Sequence, residues 1–257
     1  MSLYLPFGEP ADVLICGASR GIGLALCQQL LARDDVRHVW AVARRATQSP
    51  GLAALAEQYG ERFKRRDLDA CDEEALTALA LERQQSGAPL RLVISTLGVL
   101  QQGEARAEKH LGQLNLAGLM TTFSTNAFAP LLLLKHLLPQ LRGRQPCCFA
   151  ALSARVGSIG DNRLGGWYSY RASKAALNQL LHTASIELRR LNPQACLLLL
   201  HPGTTDTELS RPFQANVPAE RLFSPAFVAE RLLTVIAART PADSGSFRDW
   251  NDQPVPW

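Results

Sequence analysis

The sequence lacks several signatures that would settle its class at once. Its six cysteines, at positions 16, 27, 71, 147, 148 and 196, form no CxxC pair and no zinc-like spacing. Neither a disulfide framework nor a metal module is therefore expected. Cys16, Cys147, Cys148 and Cys196 fall inside apolar runs, where cysteine behaves as a small hydrophobe. Positive charge is not massed: the net charge is +4 over 257 residues, with arginines scattered along the chain. That excludes the dense basic face of a nucleic-acid binder. The densest basic stretch, Arg62-Phe63-Lys64-Arg65-Arg66, reads as a solvated strand edge. The longest apolar runs, 131–134 and 197–200, fall far short of the roughly 20 residues of a membrane span. Residues 1–10 carry no basic region followed by a long apolar stretch, so no secretory signal and a reducing cytoplasm are expected.

What is present is an alternation. Apolar runs at 12–16, 36–43, 63–68, 92–96, 147–152 and 196–200 predict strands, and the tail to Trp257 adds a last one. Helical spacing predicts helices over 22–33, 52–59, 72–85, 168–190 and 226–238. A long apolar helix lies within 114–138, regular from near Thr121 and ended by Pro139 and Gly143. Residues 101–111 are polar and loop-like. Strands that are apolar on both faces and alternate with helices predict an α/β fold. The expectation is a Rossmann-type, doubly wound parallel sheet of about seven strands, helices on both faces, with residues 1–257 as one domain.

Between the first strand and the first helix stands Gly17-Ala18-Ser19-Arg20-Gly21-Ile22-Gly23. Glycines there let backbone approach a pyrophosphate, and the helix N-terminus offers free N–H groups to it. An NAD site usually places a carboxylate at the end of the second strand, on the ribose 2′-OH. Here that end reads Ala43-Arg44-Arg45. A guanidinium at Arg44, with Arg20 as a second cation, suits a 2′-phosphate instead, so NADP(H) is the expected cofactor.

The G-x-x-x-G-x-G spacing with its Ser-Arg pair resembles the short-chain dehydrogenase/reductase family. Tyr170-Arg171-Ala172-Ser173-Lys174 is similar to that family's YxxxK signature. On a helix Tyr170 and Lys174 share a face one turn apart, and a lysine cation beside a phenol is expected to lower its pKa. Tyr168 stands six residues before Lys174 and is read as facing elsewhere. The resemblance implies that Tyr170 is the general acid or base, that Lys174 also holds the nicotinamide ribose, and that Asn126 supports a water linked to the lysine. It further implies Asp67 and Leu68 near the adenine, and Pro202, Gly203, Thr205 and Thr207 at the nicotinamide end. The family's Asn-Asn-Ala-Gly becomes Ser95-Thr96-Leu97-Gly98, so only Gly98 survives and the strand bracing must come from elsewhere.

The family's substrate-polarising serine falls at Leu152-Ser153-Ala154-Arg155-Val156-Gly157-Ser158. Counting back three residues from Gly157 puts Ala154 at that position. Ser153 is the nominated catalytic residue only if a bulge turns it, with Ser158 as the alternative. The loop 157–167 and the tail 246–250 resemble the subgroup of the C-factor and sniffer-type carbonyl reductases. Trp167, Leu209, Phe213 and Leu97 are candidates for an apolar pocket, and 210–224 for an irregular lid. The leading expectation is NADPH-dependent reduction of a small or medium apolar carbonyl substrate, with no nucleic-acid or membrane partner. A regulatory or signalling protein that binds NADP with little turnover is the alternative. A homodimer is expected through the long helices.

Overall fold

The computed structural model describes residues 7–257, so residues 1–6 of the N-terminal reading lie outside the described residues. Six apolar runs form β1 (Ala11–Cys16), β2 (Val36–Ala43), β3 (Phe63–Asp67), β4 (Leu90–Ser95), β5 (Cys147–Leu152) and β6 (Ala195–His201). The two-residue strands β7 (Thr204–Thr205) and β8 (Leu222–Phe223) pair with each other, and β9 (Ser246–Asp249) joins the main sheet. That sheet has seven strands in the order β3-β2-β1-β4-β5-β6-β9, every pair parallel.

Alternation along each strand divides the core. Val13 and Ile15 face a cluster shared with α1 (Gly21–Leu31), α2 (Pro50–Tyr59) and α7 (Pro225–Ala237). Leu14 and Cys16 face the opposite cluster, built with α3 (Glu73–Gln85), α5 (Ala129–Leu141) and α6 (Tyr168–Leu191). α4 (Leu116–Phe123) packs on α6. Because both faces are covered, β1, β4 and β5 are buried along their whole lengths. The chain runs outward from β1 to β3 and then returns to β4 on the other side of β1. The C-terminal ends of β1 and β4 therefore flank the crevice where a doubly wound sheet binds its ligand.

The long central helix departs from expectation at both ends. It begins at Leu116, because Asn115 Oδ1 accepts from Gly118 N and caps it. It passes through a π-helical turn at Ser124–Phe128 and runs to Leu141, so Pro139 lies inside it. Proline removes only one amide bond in this last turn, while buried Leu141 and the Arg142 N–H to Leu138 O bond (3.0 Å) carry the helix onward. Phe63 to Arg66 of the basic run lie in β3, an edge strand laced to its neighbours, and Arg62 directly precedes it. Arg66 pairs with Glu82, Lys64 with Glu61 at 2.6 Å, and Arg62 donates to the carbonyls of Arg33 and Val36.

Candidate active site

β1 ends at Cys16 and the chain turns through Gly17 at φ 93°. A Cβ at Gly17 would lie 2.5 Å from Thr96 Oγ1, and one at Gly23 would lie 2.3 Å from the Gly17 carbonyl oxygen. Glycine at both positions lets β1, α1 and the end of β4 close on one another. Thr96 Oγ1 donates to the carbonyls of Cys16 (3.1 Å) and Gly17 (3.0 Å), so one hydroxyl supplies the bracing between β4 and the turn. Sequence reasoning missed Thr96; its only signal was a hydroxyl immediately after β4.

α1 starts at Gly21 with no side-chain cap and no acid in its first turn. By contrast Ser49, Asp72 and Asn115 cap α2, α3 and α4. The first amides of α1 and its positive dipole end are thus left for a ligand, which fits a pyrophosphate. Ser19 turns its carbonyl to Ser49 Oγ (2.7 Å), and Ile22 packs on the core beneath α1. Arg20 is exposed and lies 2.9 Å from the Glu208 carboxylate.

Arg44 is exposed directly after β2, with no carboxylate at that strand end. Asp67 lies beside it on β3, paired in register with Ala43. Its carboxylate is committed to the Thr47 hydroxyl and the Thr47 N–H, and these bonds hold it below the usual carboxylate range. Leu68 is buried in the core, and its N–H donates to Ala43 O. The Asp67 side chain and the Leu68 N–H thus tie β3 to the end of β2.

On α6, Tyr170 and Lys174 are both buried, whereas Tyr168 is 39% exposed, as its spacing implied. Lys174 Nζ donates to Leu152 O (2.8 Å) and Leu97 O (3.3 Å), and it lies 5.9 Å from the centre of the Tyr170 ring. Asn126 sits in the π turn, fully buried. Its Oδ1 accepts from Val99 N (2.7 Å), and its Nδ2 donates to Val99 O (2.9 Å) and Ser173 Oγ (3.0 Å). That network explains an asparagine inside a helix: it joins the loop after β4 to the helix carrying Tyr170. The local widening to π geometry is a common mark of functional sites. Gly98 lies between these parts, where an added Cβ would stand 3.8 Å from Lys174 Nζ and 3.4 Å from Leu209 Cδ1.

Burial dominates the electrostatics. It pushes the Tyr170 phenol up to about 12 and the Lys174 ammonium down to about 7. The expected lowering of the tyrosine by its lysine is therefore corrected: burial alone sets the direction, and Tyr170 is held protonated.

Ser153 is corrected as well. Its Oγ donates to Asn178 Oδ1 at 2.6 Å, inside the protein. The extended alternation of β5 continues through Ser153 and sends its side chain against α6, and no bulge redirects it. Ser158 is also committed, donating to Trp257 O (3.2 Å) and accepting from Asp161 N (3.1 Å). Ala154, which has no donor, follows Ser153.

The segment after β6 roofs the glycine turn. Gly203, at φ 72°, is pressed against Phe223 and Trp250, and Thr205 is buried beneath. Thr207 Cγ2 is the nearest atom, at 3.1 Å, to a Cβ added at Gly21. Thr207 thus meets the turn, and Pro202 leads into the same segment. Trp167 stands with its ring centre 6.2 Å from that of Tyr170 and 4.8 Å from that of Phe213, both edge-on. Leu97 instead packs its side chain against the core and offers its carbonyl to Lys174.

Residues 11–218 match the sequence model of the short chain dehydrogenases. This chain belongs to the short-chain dehydrogenase family, whose members are oxidoreductases that bind a nicotinamide cofactor. Among its relatives, the C-signal protein of Myxococcus xanthus is 38% identical over 148 residues, 57% of this chain and 83% of that protein. The carbonyl reductase Sniffer of D. melanogaster superposes with a TM-score of 0.85 at 22% identity, over 97% of this chain and all of that one. An NADPH-bound carbonyl reductase from chicken fatty liver gives 0.82 at 27% identity, over 97% and 100%. The resemblance to C-factor and sniffer-type proteins thus holds in sequence for the first and in fold for the second.

Proposed function

We propose that this chain is an NADP(H)-dependent carbonyl reductase acting on a small or medium apolar ketone or aldehyde. The observation that carries the reading is the assembly of Asn126, Tyr170 and Lys174 around the loop after β4, whose Thr96 also braces the glycine turn before α1. NADPH, when bound, supplies the hydride for the carbonyl carbon. The amides of Ser19, Gly21, Ile22 and Gly23 suit its pyrophosphate, and Gly17, whose own N–H donates to Val42 O (2.8 Å), shapes the turn that lets them approach it. Arg44 and Arg20 suit the 2′-phosphate, Arg20 exchanging exposed Glu208 for it. Asp67 and Leu68 border the adenine end; Gly98, Pro202, Gly203, Thr205 and Thr207 border the nicotinamide end. Lys174 holds the ribose.

Tyr170, protonated at neutral pH, donates its hydroxyl proton to the carbonyl oxygen as the alkoxide forms. Hydride on carbon and proton on oxygen together give the alcohol. Lys174 and Asn126 hold the helix and loop in register for that transfer. Trp167, Phe213 and Leu209 wall the apolar pocket. The chain's cysteines are free, which fits a reducing compartment such as the cytoplasm. Two copies associate through their long helices.

The Ser153–Asn178 bond favours one second reading, a cofactor-binding regulatory protein with little turnover. Steady-state oxidation of NADPH and NADH with ketones, aldehydes and quinones separates the two. The reductase reading expects turnover preferring NADPH and a loss of about 10²–10⁴-fold in Tyr170→Phe, with cofactor binding intact. Tight NADPH binding without turnover on any class, in parent and variant alike, sinks it.

A further inference from the structure

We infer that Glu108 is a positioning residue for the Tyr170 site, capping the catalytic helix from outside and holding Trp167 in place. The inference rests on the reductase reading and extends it to a loop that no motif singles out.

Residues 101–111 are polar, yet Glu108 is only 3% exposed. A buried carboxylate needs donors. Glu108 takes them from Ser169, accepting from its N–H (3.3 Å) and from its hydroxyl. Ser169 lies in the first turn of α6, directly before Tyr170. The residue at the N-cap position of α6 is Trp167, which has no side-chain oxygen, so the helix makes no side-chain cap of its own. Glu108 supplies the missing acceptor, with a charge of the sign that the helix N-terminus favours.

Its main chain does a second thing. Trp167 stands at φ 50°, ψ 44°, a left-handed conformation that few bulky residues adopt. Such a conformation persists only where its surroundings over-determine it. Trp167 N donates to Glu108 O at 2.5 Å, and Arg171 Nε, one helical turn on, donates to the carbonyls of Gly165 (3.2 Å) and Gly166 (3.0 Å). This clamp sets the direction of the indole, and hence its edge contacts with Tyr170 and Phe213. One loop residue thus fixes the start of the catalytic helix and one wall of the pocket. Glu108 acts through Ser169 and Trp167, not by touching substrate.

The test compares Glu108→Ala, Glu108→Gln and Ser169→Ala in the full chain. Glu108→Ala is expected to lower kcat/KM by about 10²-fold through both kcat and KM, with NADPH affinity unchanged. Glu108→Gln keeps an acceptor for Ser169 N and recovers most of the loss. Fluorine NMR of 5-fluorotryptophan-labelled protein, with Trp167 assigned through Trp167→Phe, gives a readout that needs no turnover. Glu108→Ala and, to a smaller extent, Ser169→Ala shift the Trp167 resonance, and Glu108→Gln leaves it near its parent position. Should Glu108→Ala not fold, Ser169→Ala decides alone. A parent-like Trp167 resonance and parent-like kcat/KM in the folded variants overturn the inference. A parent chain that reduces no carbonyl overturns the reductase reading instead, and the resonance still decides the role of Glu108.

Discussion

Lys174 is fully buried among main-chain carbonyls, and its burial has a consequence for stability. The folded chain binds its proton less tightly than the unfolded chain, with a pKa of about 7 against the ordinary 10.5. Below about pH 7 both states are protonated and the penalty is felt in full. Stability then climbs as pH rises from about 7 towards 10.5. Lys174→Met is therefore expected to raise Tm at pH 6.5, with a gain that shrinks by pH 10. Thermal denaturation of parent and variant at both pH values checks this, and parallel curves would count against it. Ala154 gives a second residue-scale expectation. With Ser153 and Ser158 committed elsewhere, Ala154→Ser should raise kcat/KM for simple ketones by about 10²-fold, the effect of one positioned donor. No gain in a folded Ala154→Ser variant contradicts the placement of the substrate oxygen there. Tyr170 and Lys174 could be placed on one helix face from their four-residue spacing, and Asn126 could be nominated only through the family resemblance. Glu108 and Thr96 were not legible, because their roles come from partners 61 and 79 residues away in the chain.

At the scale of elements, strand and helix identities were readable because each strand is a near-continuous apolar run between turn residues. Helix ends were less so. The rule that proline stops a helix failed at Pro139, where tertiary burial of Leu141 outweighed one lost amide bond. A buried polar lock was equally hidden. Asp12, fully buried on β1, gathers His38 Nδ1 (2.8 Å), Trp40 Nε1 (3.1 Å), Arg83 (2.8 Å) and Ser86 Oγ (2.9 Å). It fastens β2 and α3 to β1 at the end of the sheet opposite the glycine turn. Asp12→Ala leaves the Arg83 guanidinium buried beside no carboxylate, at a cost of about 3–5 kcal/mol. For a chain of this length that lowers Tm by about 10 °C. Calorimetry should show the drop while kcat of the remaining folded enzyme stays at the parent value. An unchanged Tm would mean that the network contributes little.

Across the whole molecule, the helical stretch Leu116–Leu141 is 26 residues long and contains an 18-residue window with a mean hydropathy of 1.3. One face of it enters the core through Leu133, Leu134, Leu137 and Leu141. The other leaves Leu116, Met120 and Phe128 exposed. These side chains form the face on which a second copy is expected to dock. Sedimentation velocity should therefore give a dimer, and Met120→Lys should return it to a monomer. A monomer at all concentrations refutes this association without touching the catalytic reading.

In the proposed reaction Tyr170 protonates a carbonyl oxygen while the carbonyl carbon takes hydride. That reaction is tested most directly by supplying NADPH deuterated at the transferring position of nicotinamide C4, together with a panel of apolar carbonyl compounds. Mass spectrometry then locates the label. One deuterium is expected on the carbinol carbon of the product in the parent chain, with at least a roughly 10²-fold slower appearance of that product in Tyr170→Phe. Bound cofactor with no labelled alcohol from any carbonyl class, or labelling at the same rate in Tyr170→Phe, would contradict the proposed reaction.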